Sequence, residues 1–404
     1  MYQTVSLNIY ALSTEIKTFG TANRYIQGPG AIKLIGEIAE SYAIKRPLIL
    51  AGSNAMSVIE KHGLFYSLTQ KGIDYIKELF GRSPCGPEAC DEEIQLVSEV
   101  AESNEVDAII GAGGGKVIDT AKAVANKLNK FLIIIPTIAS SNAPTSAISI
   151  IYTCNHVFKE RRFYPRNPDI VLVDTEIIAK SPPRFLVCGI GDALGNFTET
   201  PSSIRSGAKN RLVKPIHGHP PLTALIAQRS MTEILLTYSE TALDSIEAGA
   251  VTPALEAVIE AILLLSQIAF ETGGLSAAHS IHNGFTILEE NPRYKNRSFP
   301  CHGELVFFGM LTEMIMDGYP RTEVARVMEF GHRIGLPINL EELGFRDITE
   351  EELLEVARAA TKPGEPIHNK PFRVTPEIVL NSLKTVNEIG LKISEEIPRR
   401  RFRR

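Results

Sequence analysis

The chain has 404 residues, of which 44% are hydrophobic and 22% charged, and its net charge is −5. That length builds two or three domains with a sizeable core. The absence of a basic excess argues against general nucleic-acid binding, which draws on counterion release.

The first twenty residues, MYQTVSLNIYALSTEIKTFG, lack the basic start and apolar run of a signal segment. Downstream, short apolar runs alternate with helical patterns. PLILAG (47–52) reads as a strand, IQLVSEVAESN (94–104) as a helix and VDAIIG (106–111) as a strand. VIDTAKAVANKL (117–128) reads as a helix, and FLIIIPT (131–137) as another strand. SAISIIYT (146–153) reads as the first arm of a hairpin and DIVLVD (169–174) as a strand. This alternation predicts a parallel sheet with crossover helices. After SPPR (181–184) the strand signals stop. Helical patterns follow over 223–247, 253–271, 303–317, 321–335, 350–361 and 375–396. The expected division is therefore an α/β domain over 1–181, an all-helical domain over 182–397 and a basic tail, PRRRFRR (398–404). The tail reads as a solvated, frayed end. The longest apolar run, AILLLSQIAF (261–270), falls short of the ~20 residues of a membrane span and reads as a buried helix. Five cysteines, at 85, 90, 154, 188 and 301, are odd in number and scattered. That usage suits a reducing cytoplasm better than a disulfide framework.

Residues 111–125, GAGGGKVIDTAKAVA, follow a strand and open a helix. Backbone N–H groups at a helix N-terminus stabilise a phosphate, and bare glycines let the backbone approach it. Val117 stands where a nucleoside-triphosphate loop needs Ser or Thr, so the pyrophosphate of a dinucleotide is the better match. Gly113, Gly114, Gly115 and Lys116 are the candidate contacts, and Asp119 sits in the first helical turn.

Three further segments carry ligand-type residues beside glycines: CGIGDALGN (188–196), GGLSAAHSIHNG (273–284) and FPCHGE (299–304). Asp192, His279 and His302 make two imidazoles and a carboxylate. Such a set binds Zn²⁺ with an open position, and equally suits non-haem iron. Spacing alone does not assemble them. His279 and His282 share one helix face, so either is a candidate ligand.

Taken in order, RYIQGPGAI (24–32), GAGGGKVIDTAKA (111–123), PTIASSNAPTSAISIIYT (136–153), GIGDAL (189–194) and VTPALEAVIEA (251–261) are one half of a pattern. FETGGLSAAHSIHNGFT (270–286), HGELVFFG (302–309), GLPINL (335–340) and IHNKP (367–371) complete it. The whole resembles the glycerol dehydrogenase branch of the metal-dependent, iron- or zinc-containing alcohol dehydrogenase superfamily. The resemblance implies a Rossmann-like N-terminal parallel-sheet domain, an all-helical C-terminal domain and an active site in the cleft between. It implies Zn²⁺ on Asp192, His279 and His302, because Asn196 stands where iron-type relatives carry a fourth ligand, a His. It implies NAD on the glycine turn, with Thr137 and Ser140 following the cofactor and Ser146, Ile148 and Tyr152 around its nicotinamide. Phe270 would wall the substrate pocket. The implied reaction is hydride transfer between glycerol, or a related vicinal diol or hydroxyketone, and the nicotinamide. Proton removal falls to water or to His282.

Two positions depart from the pattern. Asn142 replaces an Asp near the substrate hydroxyls, which favours a hydroxy acid or glycerol phosphate as the alternative substrate. Ser53 replaces the Asp that meets the ribose 2′-OH, which leaves NADP open beside NAD. A dehydroquinate-synthase-like lyase is the remote third reading. The stretch EENPRYKNRSFPC (289–301) is longer than the pattern expects and reads as a loop. The expected partners are a small alcohol and further copies of the chain, in a cytoplasmic homo-oligomer, with neither nucleic acid nor membrane.

Overall fold

The Val-, Ile- and Leu-rich runs become strands buried along nearly their whole length, as a parallel sheet covered on both faces requires. They are β2 (Pro47–Ala51), β4 (Ala108–Gly113), β5 (Phe131–Pro136) and β8 (Ile170–Asp174) in a computed structural model that describes residues 14–210, 217–294 and 299–402. Two strands escaped the sequence reading, β1 (Arg24–Gly28) and β3 (Ile76–Leu79). Both are edge strands of the six-stranded sheet, whose order is β1-β8-β5-β4-β2-β3. Their mixed polarity suits an edge and hides the strand signal. Every neighbouring pair is parallel. The crossover helices are α1 (Ile35–Ser41), α2 (Ser53–Lys61), α3 (Leu64–Gln70), α4 (Asp91–Ser103) and α5 (Gly115–Leu128), and the short α6 (Thr175–Ile178) follows β8. The expected hairpin forms from β6 (Ile148–Tyr152) and β7 (Phe158–Phe163), which pair antiparallel.

The rest is helical: α7 (Pro183–Ser206), α8 (Leu222–Glu247), α9 (Pro253–Glu260), α10 (Ala277–Thr286), α11 (His302–Met316), α12 (Arg321–Ile334), α13 (Glu350–Ala360) and α14 (Pro376–Glu396). The α/β unit comprises Gly20–Leu186 together with Thr241–Gln267. The helical unit comprises the described residues of Met1–Phe19, Val187–Glu240 and Ile268–Arg404. The sequence predicts instead a single cut near 181.

Three expectations need correction. Cys85 pairs with Cys154 and Cys188 with Cys301, so only Cys90 keeps a free thiol. The partners are 69 and 113 residues apart in sequence, and linear spacing carries no trace of such pairings. The described part of the basic tail packs on the end of α12. Arg399 donates from Nε and Nη2 to the carbonyl of Gly335 at 2.9 and 2.6 Å, and the Arg400 N–H bonds the His332 carbonyl at 3.2 Å. These donors serve the orphan carbonyls at the end of α12. Finally, the apolar run at 261–270 lies within a longer helical stretch, Pro253–Thr272, which by length and composition alone is sufficient to cross a membrane. Half of that window is nonetheless buried within the chain itself. Of the 289–301 stretch, residues 295–298 lie outside the described residues. Just before them Arg293 grips Glu352 of α13 through two hydrogen bonds of 2.8 and 2.7 Å.

Candidate active site

The helical unit gathers Asp192, His279 and His302, each from a different helix. Glycines make this possible. A Cβ on Gly303 would lie 1.7 Å from the Cys188 carbonyl oxygen, and one on Gly191 would lie 2.4 Å from the Gly303 oxygen. Thus α7 and α11 touch backbone to backbone beside Asp192 and His302. Gly309 does the same for α11 and α10, where an added Cβ would sit 2.4 Å from the Ala278 oxygen. The Cys188–Cys301 bond fastens the residue preceding His302 to α7.

The start of α10 is fixed by two buried acids from its neighbours. Ser276 gives it no side-chain cap. Instead Glu199 Oε1 accepts the N–H groups of Ser276 and His279, each at 2.9 Å, and Glu313 Oε2 accepts that of Ala278 at 3.0 Å. The positive end of the helix favours both carboxylates. Glu199 also accepts a hydrogen bond from His279 Nδ1 at 2.6 Å. That contact turns Nε2 toward Asp192 Oδ1, 3.3 Å away, while His302 Nε2 faces the same oxygen at 3.0 Å. One ligand atom from each of the three residues lies within 4.8 Å of the other two.

The donor set fits a divalent cation: two imidazole nitrogens and one carboxylate, with the second nitrogen of each ring held by a partner. For His302 that partner is His282, whose Nε2 lies 2.9 Å from His302 Nδ1. A chain continues outward, from His282 Nδ1 to Asn283 Oδ1 at 3.1 Å and from Asn283 Nδ2 to Glu365 Oε2 at 2.7 Å. Phe270 stacks on His279 with ring centroids 6.3 Å apart, an apolar wall beside the ligands.

The electrostatics match. Burial opposes charge on Asp192, yet His302 and His279 outweigh it and hold the carboxyl well below its usual range. Burial likewise opposes a charge on His279, but Glu199 and Asp192 push it up to about 10. His282 moves the other way, because burial and then the two neighbouring imidazoles depress it. Glu199 and Asp192 thus favour positive charge at His279, as a cation-binding set requires.

In the α/β unit, Ser53, the glycine turn and Thr137 stand at the carboxyl ends of β2, β4 and β5, where open α/β sheets bind ligands. Gly113 has φ +155°, and a Cβ there would meet Val117 at 3.1 Å, whereas a Cβ on Gly115 would meet nothing within 4 Å. The turn thus leaves open space above the N-terminus of α5, and the Thr137 N–H ties it to β5 through the Gly113 carbonyl at 3.1 Å. These residues fit a pyrophosphate.

Lys116 pairs with buried Glu88 at 2.7 Å and lies 5.9 Å from the ring of Tyr152. Ser53 is exposed at the start of α2, and Ser140 is half-buried beyond Thr137. Asp119 is engaged away from the turn: it pairs with Lys122 at 2.8 Å, and Oδ2 accepts the Ile150 N–H at 3.0 Å. Lys122 in turn bonds the carbonyls of Ala143 and Ile148, and lies 3.5 Å from Ser146 Oγ. Asn142 is buried and donates to Ser266 Oγ at 2.9 Å.

Sequence reasoning missed Glu199. Its signal was present: it stands two turns after Asp192 on α7, on the same face, within a buried segment. Replacing Glu199 by Gln is expected to weaken metal binding about 10- to 100-fold, the usual cost of losing an orienting carboxylate behind a ligating His. Competitive titration against a coloured chelator measures it, and unchanged affinity rejects the role.

Residues 22–175 match the iron-containing alcohol dehydrogenase family. The chain is 42% identical to a glycerol dehydrogenase of Thermotoga maritima, over 91% of this chain and 96% of that one. It is 37% identical to a glycolaldehyde reductase of Halobacterium salinarum, over 93% and 99% of the two chains. The crystal structure of the Schizosaccharomyces pombe glycerol dehydrogenase superposes with a TM-score of 0.87 at 35% identity, covering 95% of this chain and 94% of that one. The chain belongs to the glycerol dehydrogenase branch of the metal-containing, NAD-dependent alcohol dehydrogenases.

Proposed function

We propose that the protein oxidises glycerol or a related vicinal diol with NAD, and reduces the matching hydroxyketone in reverse, using zinc. The observation that carries this reading is the convergence of Asp192, His279 and His302 with their ligand atoms within 4.8 Å. Zinc is preferred because buried Asn196, one turn after Asp192, bonds the Ala193 carbonyl at 3.1 Å where an iron-type site would have an imidazole.

Asp192, His279 and His302 would hold the cation, whose Lewis acidity lowers the pKa of a substrate hydroxyl. Glu199 and His282 keep the two imidazoles in the ligating orientation. Phe270 excludes water from one side of His279. The His302–His282–Asn283–Glu365 chain would hold the His302 ring with Nε2 toward the cation, and the substrate proton would leave through water or His282. In the α/β unit, Gly113, Gly114, Gly115 and Lys116 would hold the cofactor pyrophosphate, with Thr137, Ser140, Ser146, Ile148 and Tyr152 further along it. Asp119 supports that site through Lys122 and Ile150. Ser53 presents no carboxylate to repel a 2′-phosphate, so NADP serves beside NAD.

Asn142 lowers the negative charge at the diol position and weakens glycerol use. A carboxylate at 142 can accept from Ser266 where the amide now donates, so Asn142→Asp keeps its anchor. The test is glycerol oxidation with NAD and with NADP, in metal-loaded and chelated protein, for the wild type and this variant. Loss of activity on chelation and several-fold faster turnover in the variant are expected. Activity that survives chelation would sink the metal reading, and no gain in the variant would sink the role of Asn142. Similarity to the Halobacterium salinarum glycolaldehyde reductase favours a second reading, in which a small hydroxyaldehyde is reduced. Faster glycolaldehyde reduction than glycerol oxidation, at equal saturation, would select it.

A further inference from the structure

The loop before α4 carries chemistry that the dehydrogenase reaction does not use. Cys85, Cys90 and Glu92 come from this loop and the first turn of α4, and Cys154 comes from the turn between β6 and β7. One donor atom from each lies within 4.8 Å of the other three. A tetrahedral zinc site with ~2.3 Å bonds to sulfur holds its sulfurs about 3.8 Å apart. The cluster is thus of the right size.

Its surroundings act on the Cys90 thiol in opposite directions. Cys90 is the N-cap of α4, and its Sγ accepts the Glu93 N–H at 3.4 Å. A helix N-terminus stabilises a thiolate there. Burial pushes the Cys90 thiol up, so without a cation it stays protonated. Gly86, at φ +68°, folds the loop back so that Cys85 and Cys90 face each other. Cys85 and Cys90 are buried while Glu92 and Cys154 are exposed, so an ion could enter from the solvent side.

We propose that Cys85, Cys90, Cys154 and Glu92 form a second metal site, rich in thiolate, that takes Zn²⁺ when all three sulfurs are reduced. Three thiolates and a carboxylate complete a tetrahedron and leave no open position, so the ion acts as a staple and not as a catalyst. The disulfide between Cys85 and Cys154 is the competing state. A thiol or phosphine reductant supplies the two electrons, two protons are taken up, and the S–S bond gives two thiols. Zinc binding then releases the three thiol protons. The two states exclude each other because a disulfide sulfur has no thiolate to donate.

The site borders the cofactor turn. Glu88, between the two loop cysteines, accepts from Lys116 of the glycine turn and from His156, two residues past Cys154, both at 2.7 Å.

The test uses the full chain loaded with cobalt(II), after reduction and after disulfide-forming oxidation. Thiolate-to-cobalt charge-transfer absorption is expected in the reduced protein and absent from the oxidised one. It should disappear in both Cys90→Ser and Cys154→Ser. Ser is itself a good N-cap, and Cys154 is exposed, so both variants keep the fold. The Asp192–His279–His302 set contains no sulfur, but reduction also opens Cys188–Cys301 beside it, so every measurement is made in a Cys188→Ser, Cys301→Ser background, where failure of the dehydrogenase reading leaves the result unchanged. No band in the reduced background protein, or a band that survives in either variant, overturns the proposal.

Discussion

Asp192→Asn is expected to yield a folded protein that binds no stoichiometric metal and turns over alcohol at least ~10³-fold more slowly. Asn keeps the shape of Asp192 but removes the charge that both imidazoles face, at 3.0 and 3.3 Å. A neutral amide is a poor partner for a divalent cation, and the two histidines alone do not hold one tightly. Lewis-acid stabilisation of developing charge is worth several kcal/mol. At ~1.36 kcal/mol per tenfold in rate, about 4 kcal/mol accounts for the thousand-fold loss. The fold should survive, because His279 keeps its Glu199 partner and the close crossing of α7 and α11 depends on Gly191 and Gly303. Elemental analysis and turnover on one preparation check this, with circular dichroism as the control. Retained metal would mean that Asp192 is no ligand. Lost metal with turnover within tenfold of the wild type would mean that the metal is not catalytic.

The three candidate ligands were legible because they sit in segments whose order matched a known pattern. Their geometry was not. Gly191, Gly303 and Gly309 read as part of a motif in sequence, but in the fold they are the points where three helices touch. Nothing in linear spacing says that a glycine serves a helix contact and not a turn. Glu199 and Glu313 hide for a related reason: each caps α10 from another helix, and a cap supplied by a neighbour leaves no local signal. The inner strands were legible because full burial demands unbroken apolar runs. The edge strands β1 and β3 were not, because an edge tolerates Arg, Lys and Glu. Asp119 shows the limit of local reasoning. Its place near the start of α5 suggested the cofactor; in the fold it pairs with Lys122 of its own helix and accepts the Ile150 N–H of β6, a strand brought alongside only by folding.

Lys370→Met should cost about 3–5 kcal/mol of stability, the usual price of stranding buried charge. Lys370 Nζ is wholly buried, 2.9 Å from Glu313 Oε1 and 2.8 Å from Ser202 Oγ, and it also pairs with Asp317. Burial, ahead of the opposing pull of Lys370, keeps the Glu313 carboxyl above its ordinary range. Without the lysine, Glu313 loses its cation while Asp317 keeps only Arg205, 3.7 Å away, and Glu313 then takes up a proton. A protonated Glu313 accepts less strongly from Thr198 Oγ1 and the Ala278 N–H, both now at 3.0 Å. Because Ala278 precedes His279, the loss should reach the metal site as a second, smaller effect. The denaturation midpoint reads the first effect, and metal affinity of the still-folded fraction reads the second. The double variant Lys370→Met with Glu313→Gln separates the causes. If stranded charge is the cause, the added change recovers part of the lost stability. If the double variant is as unstable as the sum of the two singles, the cost lies in packing of the lysine stem and the charge argument fails.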